Sequence, residues 1–226
     1  MTSISQDRPF IRALFGIGIA AAALVALAPA AQTVPNHQAV IPGCAPAAAG
    51  QPNGKQWPTE PALTIDTAAS HTATLETTCG TITIALAAAA APRTVNSFAF
   101  LAGEGYFDHT RCHRLTTQGI FVLQCGDPTA TGMGGPGYKF SDENLAGAVY
   151  PAGTVAMANA GPATNGSQFF LVYRDTQLPP NYTPFGTITE GLDALTTVAD
   201  AGVAGGGADG TPVADVVFNA VTTTQG

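Results

Sequence analysis

Two histidines and a cysteine stand close together in the chain and could do chemistry. His109 and His113 are four residues apart, the spacing that places two metal ligands on one face of a helix. No glutamate follows the first histidine, although the zinc-hydrolase form of that motif requires one. Cys112 and His113 are neighbours, and neighbouring side chains of a strand point to opposite faces. We therefore predict neither a metal site nor a thiol nucleophile here, and we expect His113 to hydrogen-bond inside the fold.

A glycine-rich segment and a serine match parts of two other reaction motifs. Residues 132–137 read Gly-Met-Gly-Gly-Pro-Gly and match the dinucleotide fingerprint, which needs a strand before it and a helix after it. Pro136 and the lack of a helical period after it favour a surface loop instead. Ser167 is followed by Gln168, so it lacks the G-x-S-x-G turn that exposes a hydrolase serine. The sequence predicts neither nucleotide binding nor serine hydrolysis.

The most specific pattern covers residues 157–170, which read Met-Ala-Asn-Ala-Gly-Pro-Ala-Thr-Asn-Gly-Ser-Gln-Phe-Phe. Matching residues flank it on both sides, in the order His113-Arg114, Phe121, Gln124, Gly126-Asp127, Leu178 and Phe185-Gly186. Together they resemble the cyclophilin family of peptidyl-prolyl cis-trans isomerases, from about Leu63 to Val221. The resemblance implies a mainly β fold, with an eight-stranded antiparallel barrel capped by two α-helices. It also implies a shallow site on the outer face of that barrel.

The resemblance also implies which side chains form the site. Its catalytic group falls on Arg114, Phe121 and Gln124. Seven further positions contact the substrate, namely Val122, Ala158, Asn159, Gln168, Phe170, Leu178 and Tyr182. The resemblance assigns the proline pocket to Phe121, Val122, Phe170 and Leu178. It assigns the groups that hold the substrate backbone to Gln124, Asn159 and Gln168, with Ala158 beside them.

These residue types suit the rotation of a peptide bond before proline. The barrier to rotation is about 20 kcal/mol because amide resonance must be broken. No bond is cleaved, so neither a nucleophile nor a metal is required. A guanidinium such as that of Arg114 can donate to the twisted amide, whose nitrogen has regained its lone pair. A contact made mainly in the transition state raises turnover.

The chain departs from the family pattern at four places. Nine residues, 115–123, separate Arg114 from Gln124, two more than in the short eukaryotic form, so we expect a longer hairpin. Val122 replaces a frequent methionine. Gln177 and Tyr182 stand where many members have tryptophan and histidine. The altered rim keeps open the alternative of a non-catalytic module that binds proline-containing peptides as a chaperone.

The elements that must position these residues can be located from periodicity. Alternation around Cys79-Gly80 predicts a hairpin over residues 73–86. Val95, Phe98 and Ala102 recur at helical spacing, with proline at the start and glycine at the end of the segment 92–103. Short strands, a second helix and a closing strand are predicted over 111–116, 120–125, 154–159, 168–172, 183–188, 192–199 and 213–221. Many short strands with two helices favour an antiparallel barrel.

Composition limits the class of protein. The chain has 226 residues, of which 46% are hydrophobic and only 10% charged, and this length suits one sizeable domain. The formal net charge is −7, and no basic stripe is visible, so we predict no nucleic-acid partner. We expect no cofactor, a monomeric state, and proline-containing polypeptides as substrates.

The N-terminal segment predicts export. Arg8 and Arg12 precede an uncharged apolar run over residues 13–31, which is typical of a signal peptide or of an uncleaved membrane anchor. We therefore divide the chain into a signal or anchor (1–31), a flexible linker (32–62) and an isomerase domain (63–226). The domain is expected outside the cytoplasm, either secreted or anchored to the outer face of the cell membrane, where it would assist the folding of exported proteins.

Four cysteines in an exported chain permit disulfides, and they allow three complete pairings. On the hairpin that the resemblance implies, Cys112 precedes Arg114 on one strand and Cys125 follows Gln124 on the next. We hypothesise a Cys112–Cys125 bridge that braces these two strands. Cys44 and Cys79 are the candidates for a second bridge.

Overall fold

The computed structural model describes residues 41–226. The predicted signal or anchor, residues 1–31, and the first part of the predicted linker lie outside the described residues. Within residues 41–226, neither helix has the length and apolar character needed to cross a bilayer.

Residues 41–226 form one antiparallel sheet of nine strands, together with two α-helices. The strands are β1 His71–Thr77, β2 Gly80–Leu86, β3 Arg114–Thr116, β4 Val122–Cys125, β5 Thr154–Met157, β6 Phe169–Val172, β7 Pro184–Glu190, β8 Asp209–Gly210 and β9 Phe218–Gln225. The helices are α1 Pro92–Gly103 and α2 Leu192–Ala201. The strand order across the sheet is β8-β3-β4-β6-β5-β7-β2-β1-β9.

The sheet curls so that its two edges approach each other. Arg111 forms isolated bridges to both Asp127 and Val217, and the Cys112 amide donates to the Val216 carbonyl at 2.9 Å. These contacts join the segment that precedes β3 to the segment that precedes β9. The mainly β, barrel-like fold predicted from the sequence is confirmed, with one additional strand, the two-residue β8.

The first hairpin forms where alternation predicted it. His71 pairs with Leu86 and Thr77 with Gly80, and alternate residues of β1 are buried. Gly80 has φ +120°, a conformation that glycine adopts without steric cost. The turn at Thr78 and Cys79 therefore closes the hairpin tightly.

Helix α1 has the bounds that its proline and glycine predict, Pro92–Gly103. The carboxylate of Glu143 accepts from the amides of Arg93 and Thr94 at 3.1 and 2.9 Å, which satisfies two of the first-turn N–H groups that lack a partner within the helix. The face containing Val95 and Phe98 is buried against the sheet.

The apolar side chains form two clusters on opposite faces of the sheet. The interior cluster contains the large aromatic rings of Phe98, Phe107, Phe169 and Phe185, whose centroids lie 5.0–6.3 Å apart in the contacting pairs. The second cluster, called here the outer cluster, consists of Val122, Tyr150, Ala156, Phe170 and Val172. Successive residues of a strand point to opposite faces, so β4 and β6 contribute side chains to both clusters.

Residues 41–62, called here the N-terminal strap, pack against the sheet and α1. The Trp57 ring lies 5.1 Å from the Phe100 ring and 5.9 Å from that of Tyr106. The Asn53 amide donates to the carbonyls of Glu104 and Gly105 at 3.1 and 2.8 Å. For residues 41–62, this packing differs from the flexible linker predicted over 32–62. The abundance of proline, alanine and glycine there indicates a lack of regular secondary structure, but it does not prevent packing.

Both cysteine pairs are disulfide-bonded, Cys112 to Cys125 and Cys44 to Cys79. The pairing is the one hypothesised from the sequence. The second bridge attaches the strap to the turn of the first hairpin. The first links the segment before β3 to the end of β4. The Cys112 side chain is buried in the interior cluster, where it is 1% exposed.

Candidate active site

The site begins with the pairing of β3 and β4. Arg114 lies opposite Gln124 in the register, and its Nη1 donates to Gln124 Oε1 at 3.2 Å. Residues 115 and 123, on the opposite face, are buried in the interior cluster. Alternation therefore holds Arg114 and Gln124 together on the outer face of the sheet.

A chain of side-chain amides continues from Gln124 across the outer face. Gln124 Nε2 donates to Gln168 Oε1 at 2.9 Å. Gln168 Nε2 in turn donates to the carbonyls of Gly132 and Gly134 at 3.0 and 2.9 Å. The loop over residues 132–134 is thus connected to Arg114 through two amides.

That loop is organised by the buried carboxylate of Asp127. Its Oδ1 accepts from the amide and hydroxyl of Thr129, both at 2.7 Å. Its Oδ2 accepts from the amides of Thr131, Gly132 and Gly134 at 3.1, 2.7 and 3.1 Å. Burial opposes ionisation of this carboxyl, but the hydrogen bonds outweigh that effect, so the pKa of Asp127 lies below its usual value.

An apolar surface lies beside the side-chain amides of Gln124 and Gln168. Val122 pairs with Val172, and Gln124 with Phe170, so the outer-facing side chains of β4 and β6 meet. Leu178 and Tyr182 pack against the outer cluster, with the Tyr182 ring 5.6 Å from that of Phe170. The structure therefore brings together four of the apolar residues predicted for the site.

Phe121 is the exception. It packs against the interior cluster, with its ring 6.0 Å from that of Tyr173 and the Arg174 guanidinium carbon 3.7 Å from its centroid. Ile120 packs against the outer cluster instead. The reason is strand alternation, since Val122 points outward and Phe121 and Val122 are neighbours. The sequence prediction placed both in one pocket, and the structure does not.

Ala158 and Asn159 lie at the end of β5, next to Gln168. The Ala158 amide donates to the Gln168 carbonyl at 3.0 Å. The Asn159 side-chain amide donates to the Asn181 carbonyl at 2.8 Å, which holds the segment that leads to Tyr182. The Asn159 side chain thus supports the rim of the apolar surface.

A cavity of about 460 Å³ adjoins the amide chain, and the outer cluster lies outside it. Gln124, Gln168, Ala158 and Asn159 line one side, and the loop over residues 132–139 lines another. The strap contributes Gln56 to the wall, next to the Trp57 amide, which donates to the Pro136 carbonyl at 2.8 Å. Sequence reasoning missed Gln56, because it lies within the segment predicted as a linker.

Sequence reasoning also missed the partner of Arg114. Asp209 accepts from Nε and Nη2 of Arg114, both at 2.7 Å. The hydrogen bonds to Asp209 raise the pKa of the Arg114 guanidinium, against the opposing effect of burial. The same contacts lower the pKa of Asp209. No local pattern marks Asp209, which lies 95 residues further along the chain in a glycine-rich segment.

His113 does not form the hydrogen bond predicted for it. Neither ring nitrogen has a partner among the described residues. Burial lowers the pKa of this histidine, and the nearby Arg114 acts in the same direction against the charge of Asp127. Both effects favour the neutral ring beside the site.

Known proteins are similar to this chain in sequence. The family profile described as "Cyclophilin type peptidyl-prolyl cis-trans isomerase/CLD" matches residues 72–223. Proteins named probable peptidyl-prolyl cis-trans isomerase B from Mycobacterium leprae and Mycobacterium tuberculosis are 48% identical to the chain over 184 residues, 75% of this chain. The chain spans 60% and 58% of the length of these two relatives.

Solved structures agree with the sequence comparison. A crystal structure of a cyclophilin-type peptidyl-prolyl cis-trans isomerase from Cryptosporidium parvum has a TM-score of 0.62 and 28% identity, and the match covers 70% of this chain and 99% of that one. The same protein with the dipeptide Ala-Pro has a TM-score of 0.61 and 29% identity, over 69% and 99% of the two chains. The family profile spans most of the described residues, and the chain therefore belongs to the cyclophilin-type peptidyl-prolyl cis-trans isomerase family.

Proposed function

We propose that the chain is a peptidyl-prolyl cis-trans isomerase that uses the outer face of the sheet as its active site. The observation that carries the proposal is the placement of Arg114 and Gln124 on one face, directly beside an apolar surface formed by Val122 and Phe170. A cation with free N–H groups and a place for a proline ring thus lie side by side. Family membership supports the same activity.

In this proposal the apolar surface holds the proline ring. Phe170 and Val122 form its floor, and Ile120, Leu178 and Tyr182 surround it. The Ala-Pro dipeptide in the related crystal structure supports a proline-containing ligand. Phe121 acts from the interior side, where its ring packs between Tyr173 and the Arg174 guanidinium and supports the β4 backbone.

The polar chain holds the peptide while its X-Pro bond rotates. Gln124, Gln168 and the end of β5 at Asn159 provide hydrogen-bonding groups beside the apolar surface. Arg114 donates to the amide nitrogen once rotation has broken amide resonance and restored its lone pair. Because this contact strengthens only as the amide twists, it lowers the barrier rather than tightening ground-state binding.

We further propose that the protein works outside the cytoplasm, on exported polypeptides, as a monomer. The apolar segment 13–31 after Arg8 and Arg12 supports export. The two disulfides support an oxidising compartment. Fractionation of cells that express the full chain, with N-terminal sequencing of the recovered protein, tests this location and distinguishes a cleaved signal from an anchor. Recovery in the cytoplasm contradicts it.

A prolyl isomerisation assay on the full chain tests the activity. We expect Arg114→Ala to lower kcat/KM about a hundredfold or more, the usual effect of removing a transition-state donor. Arg111→Ala is the matched control, because Arg111 is an exposed arginine three positions away that pairs with Asp215 at 2.8 Å. If the wild type and both variants are equally inactive yet bind a proline peptide, the alternative of a non-catalytic binding module holds instead.

A further inference from the structure

We propose that Asp209 is a positioning residue for Arg114, holding the guanidinium in the orientation that rotation of the X-Pro bond requires. The inference rests on the proposed function, since it assigns Arg114 the catalytic donor role. The side-chain contacts of Asp209 are those to Arg114. In this proposal its effect on the reaction passes through the arginine.

The geometry of the pair is that of a two-point clamp. Asp209 Oδ1 accepts from Nε and Oδ2 from Nη2, both at 2.7 Å. Such paired hydrogen bonds fix the orientation of the guanidinium plane as well as its position. The Arg114 and Asp209 side chains are 38% and 54% exposed, and an exposed ion pair contributes little to folding stability. Orientation is therefore the larger effect of this contact.

The clamp leaves some N–H groups of the guanidinium available. A guanidinium carries five N–H groups. Two are used by Asp209 and one by Gln124. One N–H group remains on Nη1 and one on Nη2. Asp209 and Gln124 together thus direct the free donors of Arg114.

Asp209 is itself held by the sheet. Strand β8 pairs with β3, so that Thr116 lies opposite Asp209 and Leu115 opposite Gly210. The Thr117 amide donates to the Ala208 carbonyl at 2.8 Å. Thr116 follows Arg114 by two positions on the same strand, which places Asp209 diagonally across from the arginine on the same face. The clamp is attached to the strand that carries the residue it orients.

Removing the carboxylate should release one edge of the guanidinium while the backbone ladder stays intact. We expect Asp209→Ala to lower kcat about tenfold with little change in KM. Displacing a transition-state donor by about an ångström lowers the rate of the chemical step. Asp209→Asn keeps one acceptor oxygen and should recover part of the loss. Asp209→Glu keeps both carboxylate oxygens on a longer side chain, can restore both contacts and should recover more of the lost kcat.

The matched control is Asp215→Ala. Asp215 also pairs with a partly exposed arginine, Arg111, at 2.8 Å, and its removal changes the net charge equally. We expect its kcat and KM to stay within about twofold of the wild type, the usual range for a surface change away from the site. A second readout is the 15N-edited NMR signal of Arg114 Nε–H in the full chain, assigned by its loss in Arg114→Lys. It should be distinct in the wild type and shift or broaden in Asp209→Ala.

The outcomes separate the two proposals. An active wild type whose Asp209→Ala variant keeps its kcat overturns the positioning role and leaves the proposed function standing. So does a fall in kcat matched by Asp215→Ala, because the effect then belongs to surface charge. An Nε–H signal that Asp209→Ala leaves unchanged also overturns it. A wild type without isomerase activity overturns the proposed function and this inference with it.

Discussion

The side-chain amide of Gln124 donates to Oε1 of Gln168 at 2.9 Å, across the pairing of β4 and β6. Because Gln124 also accepts from Arg114, and Gln168 donates to two carbonyls of the loop at residues 132–134, this contact joins Arg114 to the wall of the cavity. The site is therefore one continuous network of side-chain hydrogen bonds beside an apolar surface.

Removing the side chain at the centre of this hydrogen-bond network should weaken catalysis without unfolding the domain. We expect Gln168→Ala to lower kcat/KM about tenfold, which corresponds to about 1.4 kcal/mol of lost transition-state stabilisation. Two carbonyls and one amide lose their partner at once. Gln51→Ala, at an exposed position of the strap, serves as the control in the same assay. Equal kinetics for both variants would mean that the amide chain does not act on the reaction.

The loop that faces Gln168 should depend on the charge of Asp127. We expect Asp127→Asn to lower the free energy of unfolding by about 3 kcal/mol at neutral pH, because an amide has one acceptor oxygen for five donated hydrogen bonds and hydrogen bonds to charged groups are the stronger ones. Urea unfolding measures this. Asp200→Asn, exposed at the end of α2, should change stability by less than about 0.5 kcal/mol.

The same carboxylate sets a pH dependence. Its pKa in the folded chain lies below the usual aspartate value of 3.8, so the stabilisation is fully present above that value. It is lost as the pH falls through the lower folded-state pKa. The difference between the wild type and Asp127→Asn should therefore shrink in urea titrations at decreasing pH. A constant difference from pH 7 down to pH 2 would contradict the assignment.

The N-terminal strap should be part of the folded domain rather than a tether. Trp57→Ala removes a ring that contacts Phe100 and Tyr106, and we expect the free energy of unfolding to fall by about 2 kcal/mol, less than for a fully buried tryptophan. A chain that begins at Leu63 also loses the Cys44–Cys79 bridge and should be less stable still. Val149→Ala, at a side chain 72% exposed, is the control. Unchanged stability of the shortened chain would support the linker instead.

The neighbours Ile120 and Phe121 should separate binding from stability. Phe121→Ala should lower the free energy of unfolding by about 2 kcal/mol, since the ring packs on the interior side. Ile120→Ala should lower kcat/KM about tenfold, through about 1.4 kcal/mol of lost apolar contact with the proline ring. Thermal unfolding and the isomerisation assay on both variants decide between them. The reverse pattern would place Phe121 in the pocket, as its sequence position suggested.

The parts of the fold that follow from local pattern were predictable from the sequence. Alternation located the first hairpin, and proline and glycine marked the ends of α1, because these signals depend only on residues close in the chain. The spaced motif from Arg114 to Leu178 identified the family. It also named side chains that the structure does bring to one face, including Gln124, Gln168 and Phe170.

Other features were decided by the tertiary structure. Phe121 faces inward because Val122 faces outward, and this choice depends on how the long hairpin pairs with its neighbours. The strap packs although its composition has no periodicity, because packing needs complementary surfaces rather than regular secondary structure. Asp209 meets Arg114 across 95 residues. Such a contact depends on strand register and on the path of the chain through space. No short segment of the sequence determines either of them.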